Sequence, residues 1–146
     1  MTQPVDFSLR LAQALLGTRA DAILAADPEG IIRFWNPGAI RIFGFAEDQA
    51  IGRSLDIIIP EKLRARHWEG WKRVVQTSRS RYAADQMLSV PAMTSDGRRI
   101  SVEFTILILH DQDGGIVGIG AILRDVTARF NELRDLRTKV AGARAG

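Results

Sequence analysis

The chain has 146 residues, 46% hydrophobic and 25% charged, a balance that fits one globular domain with flanking helices. It contains no cysteine, which excludes disulfides, thiolate metal sites and cysteine nucleophiles and leaves His, Met, Asp and Glu as metal ligands. The formal charge of +3 comes from 20 basic residues spread along the chain rather than gathered into a block, so no direct nucleic-acid partner is expected.

Apolar stretches such as Ile116 to Leu123 are too short to cross a bilayer, and the N-terminus lacks the basic-then-apolar build of a signal peptide. A soluble, cytoplasmic protein with no membrane partner is expected. The densest basic cluster, Lys62, Arg64, Arg66, Lys72 and Arg73, lies on one predicted helix, where such a set reads as a solvated face or a partner for anionic groups of a cofactor.

In chain order, Phe7 to Leu16 carries Leu9, Leu11, Ala12, Leu15 and Leu16 at a helical period that ends at Gly17. Ala22 to Ala26 and Ile31 to Trp35 are strand candidates, joined by the turn Asp27-Pro28-Glu29-Gly30. Asn36 is placed to cap a helix whose first residue is Pro37 and whose inner face is Ala39, Ile40 and Phe43. Gly44 closes that helix, Glu47 to Ala50 makes a further turn, and Gly52 precedes the apolar run Leu55 to Ile59; such broken helices suggest a pocket wall. Pro60 opens the main central helix, Glu61 to about Thr77, with Glu61 where the helix dipole favours an acid. On it Leu63, His67, Trp71 and Val74 share one face, which points His67 toward the core.

Three strands are predicted next, Gln86 to Ala92, Arg99 to Leu109 and Gly115 to Arg124, joined at Thr94-Ser95-Asp96-Gly97 and Asp111 to Gly115. In the middle strand Ile100, Val102, Phe104, Ile106 and Ile108 form one apolar face, so the sheet is buried on one side and wetted on the other. These elements spell an α+β fold: a five-stranded antiparallel sheet with short helices on one face and amphipathic helices at both ends. The expected division is residues 1–20 as N-terminal helix, 21–127 as the domain and 128–146 as C-terminal helix and frayed tail.

The order of Asp-Pro-Glu-Gly before Ile-Ile-Arg-Phe-Trp-Asn-Pro, then Phe43-Gly44-Phe45, Ile51-Gly52, Ser95-Asp96-Gly97 and Arg124-Asp125-Val126-Thr127 resembles a PAS domain over about Asp21 to Thr127. Within that family the stretch Ile59 to His67 is similar to the haem-bearing PAS domains of FixL-type oxygen sensors and of oxygen-sensing phosphodiesterases. The resemblance implies haem b, with His67 as the axial iron ligand, Arg73 at a propionate, and Phe104 and Ile106 roofing the distal side. Where FixL-type sensors carry an oxygen-stabilising arginine, this chain has Met87, or Leu88 when counted back from Asp96-Gly97. Met87 is then a candidate sixth ligand, which implies redox or carbon monoxide sensing. Trp71 is larger than the isoleucine the resemblance leads one to expect and is a candidate to fill the porphyrin's space. A small organic ligand, or no ligand in a protein-interaction domain, are the other readings; a flavin photosensor resembles the chain weakly, since the adduct-forming cysteine is absent.

No catalytic constellation is present in the sequence, and His110 abuts a turn, so a non-enzymatic sensor is expected. Asp125 or Thr127 is placed to cap a helix from Ala128 to Val140 whose stripe is Phe130, Leu133, Leu136 and Val140. Together with Phe7 to Leu16 that stripe implies a homodimer, which signals to a downstream protein or fused effector.

Overall fold

The computed structural model describes residues 3–78 and 88–145. Five strands, β1 (Ala22–Ala26), β2 (Ile32–Trp35), β3 (Leu88–Met93), β4 (Arg99–His110) and β5 (Ile116–Asp125), form one sheet in the order β2-β1-β5-β4-β3. Every neighbouring pair is antiparallel. Around it lie α1 (Phe7–Leu16), α2 (Pro37–Phe43), α3 (Glu47–Ala50), α4 (Arg64–Thr77) and α5 (Thr127–Ala145). The architecture is the one expected from the sequence. Two short 3-10 turns, Leu55–Ile58 and Glu61–Leu63, precede α4, so the helix expected from Glu61 begins tightly wound and becomes α-helical only at Arg64. Tightening of this kind is common in the first turn after a proline-led start.

The side-chain period of two decides which face is buried. Ala22, Leu24 and Ala26 of β1, Ile100 and Val102 of β4 and Leu123 of β5 point inward, against Ala39, Ile42 and Phe43 of α2 and against Leu55 and Ile58. Of the expected inner face of β4, Ile100 and Val102 are fully buried, while Phe104, Ile106 and Ile108 are half-buried. Ile40, assigned to the inner face of α2, is 37% exposed; Ile42 takes that place.

One buried amide closes the end of the fold from which both terminal helices leave. Asn36, 1% exposed, caps α2 by accepting from Ala39 N, and the same Oδ1 accepts from Ile23 N at 2.8 Å. Its Nδ2 donates to Thr18 O and Asp21 O, both at 3.1 Å. The Thr18–Asp21 linker is held further by Gly38 N on Thr18 O and by the Arg41 guanidinium on Arg19 O and Ala20 O. Arg124, at the end of β5, pairs with Asp21 at 2.9 Å. Replacing Asn36 with alanine removes a helix cap and strands buried donors and acceptors on three segments, so it should cost roughly 2–4 kcal/mol. Urea unfolding measures this, and a loss no larger than that of the exposed Ile40→Ala would contradict it.

Candidate functional site

Helix α4 is fixed to the rest of the domain by two indoles. The Trp68 Nε1–H donates to Asp56 Oδ1 at 2.7 Å, and the Trp71 Nε1–H donates to Pro28 O at 2.8 Å. The Trp68 ring lies directly on Gly30, whose φ of +83° suits glycine and where a Cβ would come within 2.2 Å of the ring. Arg64, at the head of α4, donates to Ile59 O and Asp56 O.

The hairpin that receives both indoles is itself rigid. Asp27 Oδ1 accepts from the backbone of Glu29 and Ile31, and Oδ2 pairs with Arg33 at 2.8 Å. Burial works against the Asp27 carboxylate, but the Ile31 amide and the Arg33 guanidinium hold its pKa below the ordinary value.

His67 packs beside these anchors, whose own rings meet edge-on 5.6 Å apart. Its ring meets Trp68 edge-on at 4.6 Å between centroids and Trp71 at 5.8 Å. Among the described residues its Nδ1 is buried and has no hydrogen-bond partner. Burial pushes the His67 pKa below the usual imidazole value, and the Asp56 carboxylate pulls the other way without reversing it. The ring is therefore neutral at pH 7, which is the form that ligates a metal.

The remaining expected residues fall in two places. Leu88 on β3 lies opposite Phe104 on β4, and Phe104 and Ile106 pair with Leu123 and Ala121 on β5. All three expected residues, Leu88, Phe104 and Ile106, are half-buried. Phe104, Trp68 and Trp71 pack against the same buried cluster, which places the inner wall of the sheet and the indoles of α4 around one core. Arg73 is exposed on α4, as are Arg66 and Lys72 on the same helix and Lys62 in the 3-10 turn before it, whereas Arg64 is engaged as described. Met87 lies outside the described residues. His110 is exposed, with Nδ1 3.2 Å from Gly114 O.

From this wall a short route leads to α5. Val102 is buried in the core, and its neighbour Ser101 donates its amide to Thr127 Oγ1 at 3.0 Å and accepts from Val126 N at 2.9 Å. Thr127 N in turn donates to Asp125 Oδ1, so Asp125 caps the helix and Thr127 stitches it to β4. Both residues were expected at this junction; the partner Ser101 was not.

The donor chemistry fits a haem. Among the described residues no cluster of three or more His, Asp or Glu side chains forms a metal site, but an iron already held by a macrocycle needs one axial nitrogen. An imidazole on a helix pinned at two points is a donor of that kind, but surrounding atoms enclose its Nδ1, so that nitrogen is not the one open to iron. Trp71 counts the other way, since its ring is fixed beside His67 and packs on the core.

Three participants escaped the sequence reading: Asp56 as an indole acceptor, Gly30 as the seat of Trp68, and Pro28 O as the anchor of Trp71. The one signal was an aspartate inside the apolar run Leu55 to Ile59. The depressed His67 value has a sign that can be checked. The unfolded chain binds a proton below about pH 6.5 where the folded state does not. Stability due to this group is thus fully present above that pH and is lost as pH falls toward the folded-state value. Urea midpoints should decline from pH 7 to pH 5 more steeply in the native protein than in His67→Gln; parallel declines would contradict the assignment.

Residues 16–130 match the PAS fold family. An uncharacterized protein of Azorhizobium caulinodans is 31% identical over 125 residues, covering 85% of this chain and 17% of that protein. The sensor protein FixL of Bradyrhizobium diazoefficiens is 30% identical over 131 residues, covering 84% of this chain and 25% of FixL. The chain thus spans a quarter or less of these curated relatives. Among solved structures, the PAS domain of a Colwellia psychrerythraea protein superposes with a TM-score of 0.71 at 22% identity, covering 84% of this chain and 99% of that domain. The matched span, the strand order and the helical wall agree: the chain belongs to the PAS fold family.

Proposed function

We propose that this domain is the non-enzymatic input module of a cytoplasmic signalling protein, and that it holds haem b through His67. What supports the haem reading is the place of His67, half-buried against the core on a helix pinned at two points, where burial favours the neutral imidazole. The likeness to FixL supports it too. In this reading His67 would hold the iron, Arg73 would meet a propionate, and Leu88, Phe104 and Ile106 would line the pocket, with Met87 as a second candidate ligand. When bound, haem would supply an iron that responds to a diatomic gas or to redox state.

The chain's own residues carry the response. A displaced Phe104 or Ile106 shifts β4, and Ser101 passes that shift to Thr127 at the root of α5. The module acts as a homodimer, and a downstream signalling protein or fused effector reads the change between two arrangements of the exit helices.

Trp71 favours a second reading, in which its indole fills the site and the domain takes a smaller organic ligand or none. Hemin titration followed by absorbance separates the two. The first reading predicts a Soret band at one haem per chain, with affinity lowered at least about tenfold in His67→Ala. Protein that stays colourless under hemin contradicts haem, and mass spectrometry of the denatured protein then decides between an organic ligand and an empty core.

A further inference from the structure

Three turns that join strands share one build, over residues 27–31, 94–98 and 111–115. In each, the first residue donates its amide to the carbonyl of the fifth, and its own carbonyl accepts from the amide of the fourth, a glycine. The side chain of the first residue, Asp27, Thr94 or Asp111, also accepts from the amide of the fifth. The glycines, Gly30, Gly97 and Gly114, have φ of +83°, +80° and +84°. The residue before each is an exposed acid: Glu29, Asp96 and Asp113.

An acid followed by glycine is open to attack of the glycine amide nitrogen on its side-chain carbonyl carbon, since no Cβ blocks the approach and the backbone rotates freely. From aspartate the ring that closes has five members and forms readily; from glutamate it has six and forms far more slowly. Ring size therefore sets Glu29 apart. Asp96 and Asp113 share both ring size and turn, and they differ in what holds the carboxylate. The Thr94 hydroxyl donates to Asp96 Oδ1, and Arg98 Nε donates to Oδ1 at 3.2 Å and to Oδ2 at 3.0 Å. The Thr94 hydroxyl first, and then the Arg98 guanidinium, hold the Asp96 pKa below the ordinary value, which favours the anion, a poor electrophile. Asp113 has only its amide held, by Asp111 Oδ1 at 2.9 Å; among the described residues its carboxylate has neither a hydrogen bond nor an ion pair.

We propose that Asp113 is a modification site, at which the chain isomerises to isoaspartate through a succinimide formed with Gly114, and that the product is a substrate for a carboxyl methyltransferase. The Gly114 nitrogen bonds to Cγ of the protonated carboxyl, and water leaves. Water then opens the ring at either carbonyl. Opening at the main-chain carbonyl leaves the backbone running through Asp113 Cβ and frees the α-carboxylate, with no change of mass. A methyltransferase transfers a methyl group from a sulfonium donor to that carboxylate, giving a methyl ester and a thioether. The added backbone methylene lies in the turn between β4, which carries Phe104 and Ile106, and β5, which leads into α5. The inference is independent of any ligand.

The test needs only the native chain. Protein held warm at pH 7 is digested, and each peptide is scored for isoaspartate by electron-based fragmentation and for methyl groups taken from S-adenosylmethionine in the presence of an isoaspartyl methyltransferase. Both signals should be at least about fivefold higher at Asp113 than at Asp96, because closure at Asp96 first has to release its donors. Asp113→Glu should abolish the signal at its turn, and Arg98→Ala should raise the signal at Asp96. No isoaspartate at Asp113, equal signals at the two turns, a signal that persists in Asp113→Glu, or an unchanged Asp96 in Arg98→Ala would each overturn the proposal.

Discussion

The candidate site depends on how α4 is held. The helix leans little on the sheet; two indole N–H groups, Trp68 on Asp56 and Trp71 on Pro28, tie it to a 3-10 turn and to the β1–β2 hairpin. Each such bond contributes about 1 kcal/mol, a small share of the stability of a domain this size. Their larger effect is geometric. They fix α4 so that the His67 ring packs beside both indoles, with its Nδ1 buried and without a partner among the described residues.

A buried polar atom without a partner costs about 1–3 kcal/mol, so its place in the core must be imposed by stronger packing around it. Here Trp68 on Gly30 and Val74 in the core supply that packing. The same constraint keeps the imidazole neutral. Burial thus favours the neutral form of His67, the form in which an imidazole can donate to a metal. The sheet side contributes a wall, Leu88, Phe104 and Ile106, that is joined through Val102 and Ser101 to the cap of α5. Site and exit helix are thus neighbours along one strand.

Much of this was legible in the sequence because it is local. Alternation in β4, the Asp27 to Gly30 turn, Pro37 after Asn36 and the Asp125–Thr127 cap depend on residues a few positions apart. The spacing of Leu63, His67, Trp71 and Val74 gave the correct face of α4. What was not legible is long-range pairing. Asn36 was readable as a helix cap, but not as a donor to Thr18 and Asp21. Gly30 was readable as a turn glycine, but not as the floor beneath an indole. The residues matched to the haem-bearing relatives were placed by analogy, and the structure brings Leu88, Phe104 and Ile106 onto one wall while leaving Arg73 on the surface.

The claim at the centre is that packing holds His67 neutral with a ring nitrogen unengaged. Nitrogen-15 NMR of the His67 ring, followed from pH 8 to pH 5, tests it most directly. The account predicts a neutral imidazole at pH 7 that takes up its proton only below the ordinary value of about 6.5. An imidazolium at pH 7, or a midpoint at or above that value, would contradict it.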